Sequence, residues 1–393
     1  MGSMRTQVAI VGAGPAGLVL SYLLARLDID CIVLEHRDRA YVEQRVRAGV
    51  LEQGTVDLLH EIGAGERLAR EGLVHHGIYI QYDGQRHHIP MSELAGGRAI
   101  TVYGQQEVVK DLISTSPKGG GWIIFEAGQV AVHDIESEQP KVTYRHNGEQ
   151  HELQCDFIAG CDGFHGVCRE AIPRDVLRVY EKVYPFGWLG ILAHTAPSSD
   201  ELIYSCHQRG FALLSMRSPQ VSRLYLQCAP DENIEEWPDE RIWGELHARL
   251  ELEDGWTLKE GPIFEKGVTA MRSFVAEPMQ YGQLFLAGDA AHVVPATGAK
   301  GMNLAVADVR VMSEALSAWY TEGRRDMLDA YSATCLRRVW RAQHFSYWMT
   351  SLLHRLSDDP FQQQLQLSEL RYVTTSRAAA TALSENYVGL ASV

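Results

Sequence analysis

At 393 residues, 46% hydrophobic and 22% charged, with a mean hydropathy of −0.16, the chain has the composition of an ordinary folded protein, long enough for two domains or one large mixed domain. A formal net charge of −14 argues against nucleic acid or an anionic membrane as the main partner, and no apolar run reaches the ~20 residues a spanning helix needs. Seven cysteines lie scattered without zinc or disulfide spacing, and the chain enters an apolar strand almost at once, so a cytoplasmic location is the expectation. Gly2 and Ser3 ahead of Met4 formally fit a myristoylation pattern but read as a cloning remnant, and the fold is reasoned from residue 4.

In chain order, TQVAIVGAG reads as a strand, GPAGLVLSYLLARL as a glycine-opened helix and CIVLEHR as a second strand, a βαβ unit. Residues 50–70 predict helix–turn–helix with IGAG as the break, and residues 78–104 alternate like strands. A second strand-rich block spans 183–229; from 284 the pattern returns to strand–loop–helix, and from about 302 it is largely helical. The expected class is α/β, a Rossmann-like nucleotide-binding domain with an inserted antiparallel-sheet domain and a helical C-terminal region. The expected boundaries are 4–180, with a strand-rich excursion near 76–104, then 181–270 for the sheet, 271–345 for the return, and 346–393 for the helical end.

Three stretches point to chemistry. Gly12-Ala13-Gly14-Pro15-Ala16-Gly17 follows a strand and opens a helix. Glycines there allow a tight turn, backbone approach to a pyrophosphate and close helix–strand packing. Glu35 ends the next strand, 18 positions after Gly17, where an acid can bond a ribose hydroxyl. Cys161-Asp162-Gly163, followed by Arg169, and Gly288-Asp289 each also end an apolar strand; alone, each reads equally as a common turn.

The block 202–227 predicts three strands, LIYSCH, FALLSMR and SRLYLQ. With a side-chain period of two, Tyr204, Ser215, Arg217, Arg223 and Tyr225 share one face with Phe211 and Leu213, while Leu224 and Leu226 point the other way. That face is either a solvated polar surface or a pocket for a small aromatic acid, with an Arg clamping its carboxylate.

Taken together, the three motifs resemble the para-hydroxybenzoate hydroxylases, a family of single-component FAD-dependent aromatic hydroxylases. The resemblance rests on RAGVLEQG (47–54), FIAGCDGFHG (157–166), VYPFGWLG (183–190), RGFAL (209–213), AGDAAHVVPATGAKGMN (287–303), CLRRVW (335–340) and ENYVGL (385–390) as well. It implies an FAD-binding domain in which Asp289 bonds the ribityl chain and the helix opening at Lys300, Gly301, Met302 and Asn303 faces the flavin. Gly12, Gly14, Gly17, Glu35, Arg45, Arg47 and Gln105 complete the implied cofactor set. The implied reaction uses NADPH and O2, by way of a flavin C4a-hydroperoxide, to convert 4-hydroxybenzoate to 3,4-dihydroxybenzoate. A related hydroxylated benzoate, or a flavoprotein reductase or oxidase without hydroxylation, is the alternative.

The resemblance further implies that Ser215, Arg217 and Tyr225 hold the substrate carboxylate, that Arg223 bridges active site and flavin, and that the Ala296 carbonyl faces the phenol. Ala296 stands where the family commonly has a second proline. Tyr204, Tyr387 and His75 are implied to relay the phenol proton, His75 taking it near neutrality by its ordinary pKa. By pattern alone, His75 in its His75-His76 pair reads as a surface residue and Tyr387 as packing. After Glu35 comes a basic cluster, His36, Arg37, Arg39, Tyr41, Arg45 and Arg47, either a solvated face or a site for the NADPH 2′-phosphate. The resemblance assigns His36, Arg37, Tyr41, Arg45, His165 and Arg272 to NADPH, with His36 replacing an arginine. A homodimer is also implied, for which HFSYWMTSLLHRL (344–356) offers apolar surface that core packing explains equally well.

Overall fold

The computed structural model describes residues 4–46, 49–115, 123–252 and 255–389. Apart from the edge strand Gln280–Tyr281, its first sheet is built from short, wholly apolar strands, the pattern of a sheet covered on both faces. Val8–Val11 lies between Phe157–Gly160 and Cys31–Leu34, parallel to both. The order is Gln280–Tyr281, Leu284–Leu286, Phe157–Gly160, Val8–Val11, Cys31–Leu34, Ile123–Ile124, with only the first pair antiparallel. The helices Pro15–Arg26 and Gly301–Glu322 pack on this sheet through Leu18, Val19, Leu304 and Val309.

The larger sheet has eight strands, ordered His292–Val293, Ile263–Glu277, Arg178–Ala193, Val221–Cys228, Ala212–Ser218, Ile203–Ser205, Ile78–Tyr82, Gln85–Ile89. All pairs are antiparallel except Ile203–Ser205 with Ile78–Tyr82. The expected alternation holds as far as Ser215 and is interrupted by a register shift between Met216 and Ser218. Leu189, Ile191, Leu214, Leu224 and Leu226 pack on the helix Asp239–Leu250 through Trp243 and Leu246. Trp188, Tyr204, Phe211 and Leu213 pack on the C-terminal helices through Phe345, Met349, Leu383 and Tyr387. Both faces are therefore covered, and the polar residues of the second face lie inside the protein.

Two expectations change, and a choice left open is resolved. The stretch 78–104 is not all strand, because Met91–Leu94 is a helical turn. Ile78–Tyr82 and Gln85–Ile89 are hydrogen-bonded into the large sheet, not into the nucleotide-binding one. In 344–356, Phe345, Met349, Leu352 and Leu353 fill the chain's own core, while Tyr347 and Leu356 are exposed; further exposed apolar side chains lie on the next helix, Pro360–Thr375, at Phe361, Leu365 and Tyr372. A small sheet, Val50–Glu52, Ile100–Val102 and Leu73–His75, joins the two larger ones. No helix among the described residues is long and apolar enough to cross a membrane.

Candidate active site

A cavity of about 700 Å3 opens where the parallel strands end and runs to the large sheet. At its first end the three motif glycines divide the work. Gly12 adopts φ +104°, and a Cβ there would lie 2.4 Å from the Cys161 carbonyl oxygen. A Cβ on Gly17 would lie 2.0 Å from the Gly12 oxygen, so Gly17 serves packing and does not line the cavity. Gly14 has nothing within 4 Å; it caps the helix Pro15–Arg26 without a side-chain bond, leaving the first-turn N–H groups to a ligand. Glu35 is buried and already engaged: Oε2 accepts from Ala13 N and Oε1 from Arg37 N, both at 2.8 Å. It holds the glycine loop in place and retains lone pairs for a ribose hydroxyl.

Asp289 sits on the single turn Gly288–Ala290 with its side chain exposed to the cavity. The turn is pinned from behind. Asp308 Oδ2 accepts from Gly288 N at 3.0 Å and bonds His292 Nε2 at 2.6 Å, with both side chains buried. Burial opposes a charge on His292, but Asp308 outweighs it and raises the imidazole pKa. Arg169 ties the second motif to the third, donating to the Ala290 carbonyl at 2.8 Å and the Phe164 carbonyl at 2.6 Å.

Beyond a left-handed Ala299, φ +53°, Lys300 caps the helix Gly301–Glu322, and Gly301 and Met302 line the cavity. The side chains of Lys300 and Asn303 turn elsewhere. Lys300 Nζ donates to Glu52 Oε1 at 2.5 Å and to the Tyr387 carbonyl at 3.0 Å. Asn303 accepts from Glu52 N and Thr55 Oγ1 and donates to the Val50 and Ala299 carbonyls. These two therefore clamp the segment 50–55 onto the helix, and what the helix start offers the cavity is backbone N–H. Gln105 opens the helix Gln105–Ser114 and lines the cavity too. Arg47 lies outside the described residues.

At the far end the strand register pairs Ser215 with Arg223, and Leu213 with both Tyr204 and Tyr225. The Arg223 guanidinium lies 5.0 Å from the Tyr225 ring centroid. Gly190 faces Tyr225; a Cβ there would approach Arg223 Nη2 to 3.0 Å and Tyr225 Cε1 to 3.4 Å. Burial and the neighbouring Arg223 lower the Arg217 pKa, against the pull of Tyr225 and Glu265. Ala296 faces the cavity, its carbonyl accepting from Ala299 N at 3.0 Å.

One residue of this pocket, Trp188, and the buried His354 behind it escaped the sequence reading. Trp188 lines the cavity and leans on Tyr225 with ring centroids 4.8 Å apart. Its Nε1–H donates to His354 Nε2 at 2.6 Å, and His354 Nδ1 donates to the Thr350 carbonyl at 3.0 Å. Burial drives the His354 pKa down to about 3. Trp188 stands two positions before Gly190 in a stretch paired residue for residue with Val221–Cys228, on a strand outside the three whose faces the alternation assigned.

Tyr204 and Tyr387 share a hydrogen bond between their hydroxyls, and burial raises both pKa values. His75 is not the surface histidine its pattern suggested but 1% exposed, at the end of Leu73–His75. It makes no hydrogen bond to Tyr387, and burial lowers its pKa to about 4, overturning the expected near-neutral value. Of the basic cluster, His36, Arg37 and Tyr41 stand at the cavity edge, with the Arg37 guanidinium 4.8 Å from the Tyr41 ring centroid and His36 Nδ1 3.0 Å from Glu35 Oε1. Arg45 lines the same edge. His165 and Arg272 line the cavity from another side, each packed on the Phe164 ring.

The glycine loop, its tethering acid, the pinned Asp289 turn and the open helix N-terminus suit a dinucleotide with a pyrophosphate and a polyol chain, and so define a dinucleotide-binding flavoprotein. Residues 5–346 match the FAD binding domain family. The chain is 49% identical to a p-hydroxybenzoate hydroxylase of Acinetobacter baylyi over 99% of this chain and 96% of the relative. It is 25% identical to a 3-(3-hydroxy-phenyl)propionate/3-hydroxycinnamic acid hydroxylase of Mycolicibacterium gilvum, over 82% of this chain and 56% of that one. In fold it matches a p-nitrophenol 4-monooxygenase of Pseudomonas putida at a TM-score of 0.85 and 18% identity, covering 100% of both chains. The chain belongs to the p-hydroxybenzoate hydroxylase family of flavoprotein aromatic hydroxylases, and its cofactor is FAD.

Proposed function

We propose that this flavoprotein hydroxylates 4-hydroxybenzoate beside the phenol, giving 3,4-dihydroxybenzoate with NADPH and O2. The observation that carries the reading is the buried Tyr204–Tyr387 hydroxyl pair beside the sheet face that bears Ser215 and Tyr225, with Arg217 two positions on, where the ladder shifts register. Arg217 takes the carboxylate, with Ser215 and Tyr225 hydroxyls completing its lone pairs. Tyr204 then meets the phenol at the opposite end of the ring, and Trp188 forms a wall.

FAD, held by the glycine loop, Asp289 and the helix start, supplies the redox chemistry that activates O2. The protein's own task is the proton. A phenol with a pKa near ~10 is only about 0.1% ionised at pH 7, whereas the phenolate is the reactive form for electrophilic attack. Tyr204 accepts the phenol proton while passing its own to Tyr387. His75, kept neutral by burial, is suited to accept on one nitrogen and release from the other, and one water can bridge it to Tyr387. Arg223 adds positive charge between substrate and flavin.

His36, Arg37, Tyr41, Arg45, His165 and Arg272 are the proposed NADPH contacts. Because His36 already bonds Glu35, it offers the 2′-phosphate less than an arginine would, and comparing NADPH with NADH reads out that difference. A second hydroxylated benzoate is favoured by one feature, Ala296, which keeps the carbonyl but lacks the fixed φ of proline. A homodimer through the Phe361, Leu365 and Tyr372 face and a cytoplasmic setting complete the proposal; sedimentation tests the first.

The deciding experiment is product analysis with O2 consumption, paired with anaerobic flavin reduction by NADPH with and without 4-hydroxybenzoate. The expected result is 3,4-dihydroxybenzoate and faster reduction when the substrate is present. NADPH oxidation that yields only hydrogen peroxide overturns the reading.

A further inference from the structure

His75 is where the tyrosine line stops, and a proton cannot rest there. Both ring nitrogens are buried without a hydrogen-bond partner among the described residues. Two positions on, the Gly77 N–H donates to Glu201 Oε1 at 2.6 Å. The other oxygen, Glu201 Oε2, bonds His88 Nε2 at 2.7 Å. The side chain of Glu201 is 17% exposed and that of His88 43%, so the pair leads from the backbone two positions past His75 to solvent.

The surroundings are built for this pair. A Cβ on Gly77 would fall 2.3 Å from His88 Nε2 and 2.9 Å from Glu201 Oε2, so only glycine leaves room. Glu201 stands two positions before Ile203–Ser205, the strand that carries Tyr204, and that strand runs parallel to Ile78–Tyr82, which begins just after Gly77. The groups acting on the His75 ring are Glu201 and Asp200, which favour its protonated form, and His76, which disfavours it. His76 itself bonds the Ser92 hydroxyl through Nδ1 at 3.0 Å.

We propose that Glu201 and His88 form the outer end of the proton path, receiving the proton from His75 and releasing it to solvent. This rests on the hydroxylase function proposed above. The substrate phenol loses one proton. Each of Tyr204, Tyr387 and His75 gains one and passes one on. The Glu201–His88 pair gains that proton, holds it on the imidazole beside the carboxylate, and loses it from the exposed ring. The net change is a bound phenolate and one proton in the medium, with no oxidant or reductant consumed. Glu201 and His88 act through His75 and touch neither substrate nor flavin.

The test uses the FAD-loaded enzyme and follows ionisation of bound 4-hydroxybenzoate by stopped-flow absorbance, with proton release read by an indicator dye. Ionisation by the unaltered enzyme comes first, and its absence overturns the proposed function itself. Given ionisation, Glu201→Gln and His88→Phe are expected to slow it roughly tenfold or more, leaving 4-hydroxybenzoate affinity and anaerobic flavin reduction unchanged. Added imidazole or formate should restore the rate by acting as a substitute base. A partly exposed His–carboxylate pair contributes little to stability, so both variants are expected to fold. Unchanged ionisation in both variants, or slowing that no added base restores, overturns the exit path while leaving the hydroxylase function standing.

Discussion

Tyr204 and Tyr387 lie 183 positions apart and join their hydroxyls in one buried hydrogen bond. The first comes from a central strand of the large sheet, the second from the last helix, Arg377–Val388. Burial raises the pKa of each, so neither is a standing phenolate; a proton can cross them only by being accepted and donated together. Replacing Tyr387 with phenylalanine removes the second acceptor but keeps the ring packed on Phe345. Turnover should fall by about a hundredfold with 4-hydroxybenzoate affinity nearly unchanged. Steady-state kinetics and equilibrium titration check this, and unaltered turnover would remove Tyr387 from the path.

Arg217 is expected to carry most of the substrate's binding energy. Truncating one partner of a desolvated charge pair costs about 2–5 kcal/mol, which corresponds to roughly a 30- to 5000-fold rise in Kd for Arg217→Ala. Titration with 4-hydroxybenzoate measures it, and a change of only a few-fold would place the carboxylate elsewhere.

Gly14 and Gly17 should fail differently. At Gly17 a Cβ meets backbone at 2.0 Å, so Gly17→Ala should lower the melting temperature of the FAD-free protein. At Gly14 a Cβ meets no protein atom within 4 Å, so Gly14→Ala should melt normally without FAD yet bind it about tenfold or more weakly, the added methyl occupying pyrophosphate space. Thermal melts and FAD titrations of both variants make the comparison; normal FAD affinity in Gly14→Ala would refute the placement of the pyrophosphate.

His354 should govern acid stability. Its folded pKa, about 3, lies below the ordinary 6.5, so the folded state binds fewer protons than the unfolded chain. Stability is therefore present above pH 6.5 and is lost as pH falls from there toward about 3. His354→Phe keeps the stack on Phe186 and Phe211 but leaves the Trp188 N–H without its acceptor, at a cost of about 1–3 kcal/mol. The variant should be less stable at pH 8 and lose stability less steeply below pH 6.5, with buried His75 supplying a remaining slope. Parallel slopes for variant and parent across that window would contradict the assignment.

Much of the site was legible because its signals are local. The glycine loop, Glu35 and Asp289 each sit where a strand ends, and a strand of wholly apolar residues announces its own burial. The alternation across 212–227 told which side chains share a face, and the pairing of Ser215 with Arg223 and of Leu213 with Tyr225 follows it. Trp188 is not reached by that alternation because it lies on a separate strand, Arg178–Ala193, which only the fold sets beside Val221–Cys228. Lys300 and Asn303 were assigned to the cofactor by their place at a helix start, but their side chains reach back to 50–55, a contact that no local pattern records.

By itself, then, the amino-acid order determined the nucleotide-binding βαβ unit and the membership of each sheet face, because periodicity and turn chemistry depend only on near neighbours. Whether the polar face of the large sheet met water or lay inside the protein was decided by helices from the far end of the chain, which cover it through Phe345, Met349 and Tyr387. The same distant packing buries His75 and His354 and moves their pKa values to about 4 and about 3. Desolvation is a property of everything that surrounds a group, and that is assembled only in the folded protein.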